Sequence, residues 1–227
     1  MIPYRVTGGA KERPYITFMI MMIMIGFFLW EMSLTIQSGQ PIEDLINGYT
    51  LVTCEVGQVA FGETMLDGVR SLFLHESFFL FMTNILFMWV FAPLIEEFLG
   101  GKRFLFAFLL AGFGGHLLSI LFNSGECMSL IGPSGAISGM LGMFLVLYPY
   151  KRIVTGVPLL YSRSFELPAF VYVIVYFLMS IFAGEGGPLS GTVAPFWDEV
   201  GGFIVGLAII FVATMFKAAP KVELFED

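Results

Sequence analysis

Six apolar stretches, most of them about one bilayer long, leave this chain little freedom in what it can fold into. They run from about Tyr15 to Leu34, Phe78 to Phe98, Phe104 to Phe122, Ser134 to Tyr148, Leu167 to Phe182 and Val200 to Phe216. A helix needs roughly 17–25 apolar residues to cross the hydrocarbon, where only a segment that satisfies its own backbone hydrogen bonds is stable. The fourth and fifth stretches are short, which a helix housed inside a bundle tolerates. With 57% hydrophobic and 13% charged residues, the chain is no ordinary soluble domain. A net charge of −7, without a basic tract or a glycine-rich phosphate loop, argues against nucleic acid as a partner. The expected class is an all-α membrane protein, a six-helix bundle in contact with the lipid bilayer. No small-residue cleavage site follows the first apolar run, so a removed signal peptide is not expected.

Charge sets the expected orientation. Arg5, Lys11, Arg13, Lys102, Arg103, Lys151, Arg152, Arg163, Lys217 and Lys221 fall on one side of a six-span arrangement, and Arg70 alone on the other. The positive-inside bias then puts both termini in the cytoplasm. The opposite side is acidic, with Glu43, Asp44, Glu55, Glu63, Asp67, Glu126 and Glu185. The organisation that follows is a cytoplasmic segment 1–14, a membrane domain 15–216 and a cytoplasmic tail 217–227. Within the membrane domain, residues 37–72 form an outer connection too long to be a plain turn, and a semi-ordered flap at the membrane surface is expected there.

One short run carries most of the chemistry. In Gly132-Pro133-Ser134-Gly135-Ala136-Ile137-Ser138-Gly139-Met140-Leu141-Gly142, the proline suits the start of a helix. Ser134 then lies at a helix N-terminus, where free N–H groups and the positive dipole end favour negative charge. Gly135, Gly139 and Gly142 lie on a small-residue face that admits close approach of another helix, and Gly202 and Gly206 form a similar face in the last stretch. Two readings stay open from the residues alone: a helix-packing face with a capping serine, or a nucleophile at the mouth of a membrane helix.

These runs, with Gly101-Lys102-Arg103-Phe104-Leu105, Leu147-Tyr148-Pro149, Phe73-Leu74-His75 followed by Asn84, and Gly201-Gly202-Phe203 with Gly206, resemble the rhomboid family of intramembrane serine proteases. The resemblance covers most of the chain from Phe73 to Gly206. It implies a six-span bundle, Ser134 at the nucleophile position and Asn84 as an oxyanion-side donor. It also exposes departures. The histidine expected two residues before the paired glycines is Glu199, and the alternative register points to Asp198. The second histidine expected at the site is Leu80.

A serine hydroxyl is a weak nucleophile without a neighbouring base. Asp198 and Glu199 are read as a solvated acidic turn capping the last helix, with a carboxylate base for Ser134 as the competing reading. The function expected is therefore a rhomboid-like pseudoprotease, binding transmembrane helices of other membrane proteins or serving in a larger membrane complex, in the bacterial inner membrane. The competing class is an active endopeptidase using Ser134 with Glu199 or Asp198. No cofactor is expected, and no Cys/His/Asp/Glu set has metal-ligand spacing. His75 is read as supporting the outer connection, His116 as a buried histidine satisfied by a backbone or hydroxyl group, and Glu31 as an interface anchor. Cys54 and Cys127 both fall on the outer side and near the Ser134 mouth in the family arrangement. A disulfide between them is one reading, two free buried thiols the other.

Overall fold

The first two long helices of the chain start and stop on identifiable chemistry. The computed structural model describes residues 2–123, 127–156, 164–183 and 194–216. Helix α1 (Tyr15–Ser38) follows Pro14 and ends on Gly39, whose left-handed conformation lets its N–H return to the Thr35 carbonyl. Its first free N–H groups are met from another helix. The Glu96 carboxylate accepts from the Ile16 and Thr17 N–H groups at 2.9 and 2.7 Å, and from the Thr17 hydroxyl at 2.7 Å. That carboxylate belongs to α4 (Phe78–Leu99), which begins at Ser77 as its side chain accepts the Leu80 N–H. Gly100 separates α4 from α5 (Gly101–Phe122).

Between α1 and α4 lie α2 (Ile42–Ile46), two short 3-10 turns around β2 (Leu51–Val52), and α3 (Phe61–Ser71). The stretch expected as a semi-ordered flap is thus built of defined elements and stitched to the rest of the molecule. Strand β2 pairs with β3 (Ser129–Leu130), and Thr53 exchanges hydrogen bonds with the Met128 backbone. Helix α6 (Ser134–Leu147) follows β3, then α7 (Ala169–Ala183) and α8 (Ala194–Phe216). Among the described residues, four helical segments are long and apolar enough to cross a membrane: Tyr15–Ser38, Phe78–Leu99, Gly101–Phe122 and Phe196–Phe216. Ser134–Leu147 and Ala169–Met179 are shorter apolar helices.

The expectation of an all-α chain needs one correction. Strands β1 (Ile2–Val6), β4 (Arg152–Gly156) and β5 (Ser164–Pro168) form an antiparallel sheet in the order β1-β4-β5. Ile153, Val154 and Thr155 are β-branched and suit a pleated surface, and the run is too short to register against the helical stretches around it. Residues 2–6, expected as part of a separate N-terminal segment, are thereby tied to the connection between α6 and α7. The tail 217–227, together with Arg163, Glu126 and Glu185, lies outside the described residues.

Helix α6 is the centre of the bundle: every residue from Gly135 to Phe144 is buried. Its glycines let α8 approach backbone to backbone. A Cβ at Gly202 would run into the Gly135 carbonyl, and one at Gly206 into the Gly139 carbonyl. A Cβ at Gly142 would lie 2.8 Å from the Phe203 oxygen. Helix α5 closes on α8 in the same manner, since a Cβ at Gly201 would lie 2.5 Å from the Gly114 oxygen. In a membrane, where lipid tails are as apolar as side chains, such close contact is a main source of helix association.

Candidate functional site

The approach to Ser134 is set by backbone geometry. Gly132 has φ +100°, a region that disfavours any side chain, and its N–H donates to the Ser71 carbonyl at 2.8 Å. Pro133 follows, and Ser134 opens α6. Across from it stands Asp198. Helix α8 begins at Ala194, six residues before the expected Val200, because Ala194-Pro195-Phe196-Trp197 continues the apolar helix upstream. The reading of Asp198 and Glu199 as a solvated acidic turn is therefore corrected: Asp198 lies inside the helix and is 3% exposed.

The Asp198 carboxylate is fully engaged. Oδ2 accepts the Ser134 hydroxyl at 2.5 Å and the Gly135 N–H at 2.6 Å. Oδ1 lies 2.9 Å from His116 Nδ1 on α5. Space for it comes from two glycines. A Cβ at Gly115 would lie 2.7 Å from Oδ1, and one at Gly135 2.9 Å from Oδ2. His116 is buried, and its Nε2 lies 3.0 Å from the Ser71 hydroxyl, itself 3.0 Å from the Gly68 carbonyl. A continuous polar chain thus joins α6, α8, α5 and α3, and every member is satisfied, as buried polar groups require.

The other expected site residues distribute as follows. Glu199 accepts the Tyr176 hydroxyl of α7 at 3.1 Å, so of the two carboxylates it is Asp198 that contacts Ser134. Asn84 is half-buried on α4 and makes no side-chain hydrogen bond among the described residues. Leu80 is exposed on the first turn of the same helix. Cys54 and Cys127 are joined by a disulfide with their Cα atoms 4.9 Å apart. Glu31 is not an interface anchor: it is buried, and its carboxylate accepts the His75 N–H at 2.9 Å. The His75 imidazole is wholly buried between Phe28 and Phe81, with neither ring nitrogen hydrogen-bonded among the described residues. Burial pushes its pKa down to about 4. Ser71 carries no sequence signal of its own. It joins the site because α3 folds back over α5 and its carbonyl receives Gly132.

Comparison with known proteins adds two findings. A family model described as Rhomboid domain matches residues 63–216, well over half of the chain. Rhomboid protein 1, mitochondrial, of Saccharomyces cerevisiae is 29% identical over 89 residues, which cover 37% of this chain and 26% of that protein. The chain thus matches about a quarter of that relative's length.

Proposed function

The chain belongs to the rhomboid family and is an integral membrane protein, and we propose from that premise that it is a non-catalytic member whose bundle binds transmembrane helices. The observation that carries this reading is Asp198 Oδ2, which takes both the Ser134 hydroxyl and the Gly135 N–H. The N-terminus of α6, where a developing oxyanion would be stabilised, already holds a carboxylate of the protein's own. Neither of the chain's histidines hydrogen-bonds Ser134. An ordinary carboxylate is a weaker base than an imidazole by about 2.6 pKa units, roughly 3.5 kcal/mol of driving force for proton abstraction. Loss of one oxyanion donor typically takes another ~10²–10³ in rate, and Leu80 stands where the family has such a donor.

The bacterial inner membrane, with both chain ends in the cytoplasm and Ser134 opening to the far side, completes the proposal; basic residues on the sheet-bearing end support it. The test uses the purified full-length protein. A serine-directed fluorophosphonate should leave Ser134 unlabelled, and a single-span model substrate should be retained but not cut, with Ser134→Ala binding it equally. Glu199→His should stay unlabelled too, because position 199 meets Tyr176. Labelling of the parent protein that vanishes in Ser134→Ala would overturn the proposal. One observation favours a second reading, an active endopeptidase: Asp198 is backed by His116, so a proton taken from Ser134 has a hydrogen-bonded neighbour. Parent labelling lost in His116→Leu would select it.

A further inference from the structure

Away from Ser134, a cavity of about 520 Å³ lies between α1 and the connection that follows it, lined by Ile23, Gly26, Phe27, Trp30, Tyr49 and Arg70. That volume falls within the range of small-ligand sites. The four α1 residues recur at three- and four-residue spacing, so they form one helix face about 10 Å long. Gly26 makes a notch in it, since a Cβ there would meet nothing within 4 Å. At the Trp30 end the chemistry changes. The Tyr49 ring packs edge-on against Trp30 at 5.2 Å, and neither the indole N–H nor the Tyr49 hydroxyl has a hydrogen-bond partner among the described residues. Arg70 uses Nη1 for Asp67 at 3.2 Å, a half-buried pair, and most of its five donors have no partner among the described residues.

We propose that this groove is a binding site for a single phospholipid, one acyl chain lying along Ile23, Gly26 and Phe27 with the phosphodiester held by Arg70, Tyr49 and Trp30. The pairing of an apolar wall with a cation and two neutral donors fits one anionic group attached to a hydrocarbon chain. A free anion would face a wall of apolar side chains, and a partner helix would leave the donors unanswered. Trp and Tyr are also the residues that sit at headgroup depth, so a bilayer presents its phosphates at the level of this cluster.

Full-length protein in detergent micelles, titrated with dioleoyl phosphatidylglycerol and read by native mass spectrometry, should hold one lipid per chain. Gly26→Leu, which fills the notch, and Arg70→Gln, which removes the cation, should each lower occupancy at least tenfold at fixed lipid concentration. An unchanged melting temperature shows that the variants are folded. Should either fail to fold, the parent protein photolabelled with a diazirine-tailed phosphatidylglycerol should carry the label on residues 23–30. Parent-like occupancy in both variants would overturn the proposal. So would equal binding of dioleoylglycerol, which lacks the phosphate, label placed elsewhere, or a dimer lost in Gly26→Leu, which would make a second copy of the chain the occupant.

Discussion

Replacing Asp198 separates its two roles, because alanine removes the charge together with every acceptor while asparagine keeps one oxygen. Asp198→Ala strands the Ser134 hydroxyl, the Gly135 N–H and the His116 ring in a buried niche. Leaving a buried donor without its acceptor costs about 1–3 kcal/mol for each group stranded, and Asp198→Asn should cost clearly less. Equilibrium unfolding in mixed micelles measures both. His75 gives a pH dependence whose sign follows from burial. Its pKa is lowered from the ordinary 6.5 to about 4, so between these values the unfolded chain binds a proton that the folded chain refuses. The contribution is fully present above about pH 6.5 and is lost as pH falls to about 4, amounting to roughly 3 kcal/mol. In His75→Phe the loss of stability over that window should shrink by about this amount, as read by melting at pH 7 and pH 4.

At the scale of elements, the outer connection and α6 behave as one unit. Strand pairing of β2 with β3, the Thr53–Met128 hydrogen bonds and the Cys54–Cys127 bridge all act within a few residues of the turn that delivers Ser134. A bridge closing a loop with a sequence separation of 73 residues removes chain entropy from the unfolded state worth about 4 kcal/mol. Reduction, or Cys54→Ser, should therefore lower stability by up to that amount. The same change should raise hydrogen exchange in residues 51–56 and 127–131 before the buried core of α6 responds. Exchange rising first in α6 would mean that the bridge supports the core and not the connection. The α6–α8 contact needs no such staple, because Gly202 and Gly206 bring the two backbones together along their length.

Across the whole molecule, α4, α5, α7 and α8 pack around α6, with a sheet at one end and the Ser134–Asp198–His116 chain at the other. Much of this was legible in the residues themselves. Hydropathy marks a segment's solvent, so α1, α4 and α5 could be located to within a few residues. The glycine spacing of α6 and α8 and the Gly132-Pro133-Ser134 threshold are likewise local signals, because helix periodicity and proline geometry act over a few residues. The sheet was hidden, since its strands are short and β1 finds β4 only across about 150 residues of sequence. Position 31 looked like an interface residue beside Trp30 until the fold placed the His75 N–H against its carboxylate. The choice between Asp198 and Glu199 could not be read from sequence at all. Adjacent helical positions differ by about 100° in direction, and only the packing of α8 against Gly115 and Gly135 decides which carboxylate turns inward. Sequence by itself determined where the chain is apolar and where its backbones can meet. Tertiary structure decided which polar side chains share the buried space those backbones leave, because partners such as Ser71, His116, Ser134 and Asp198 come from four separate helices.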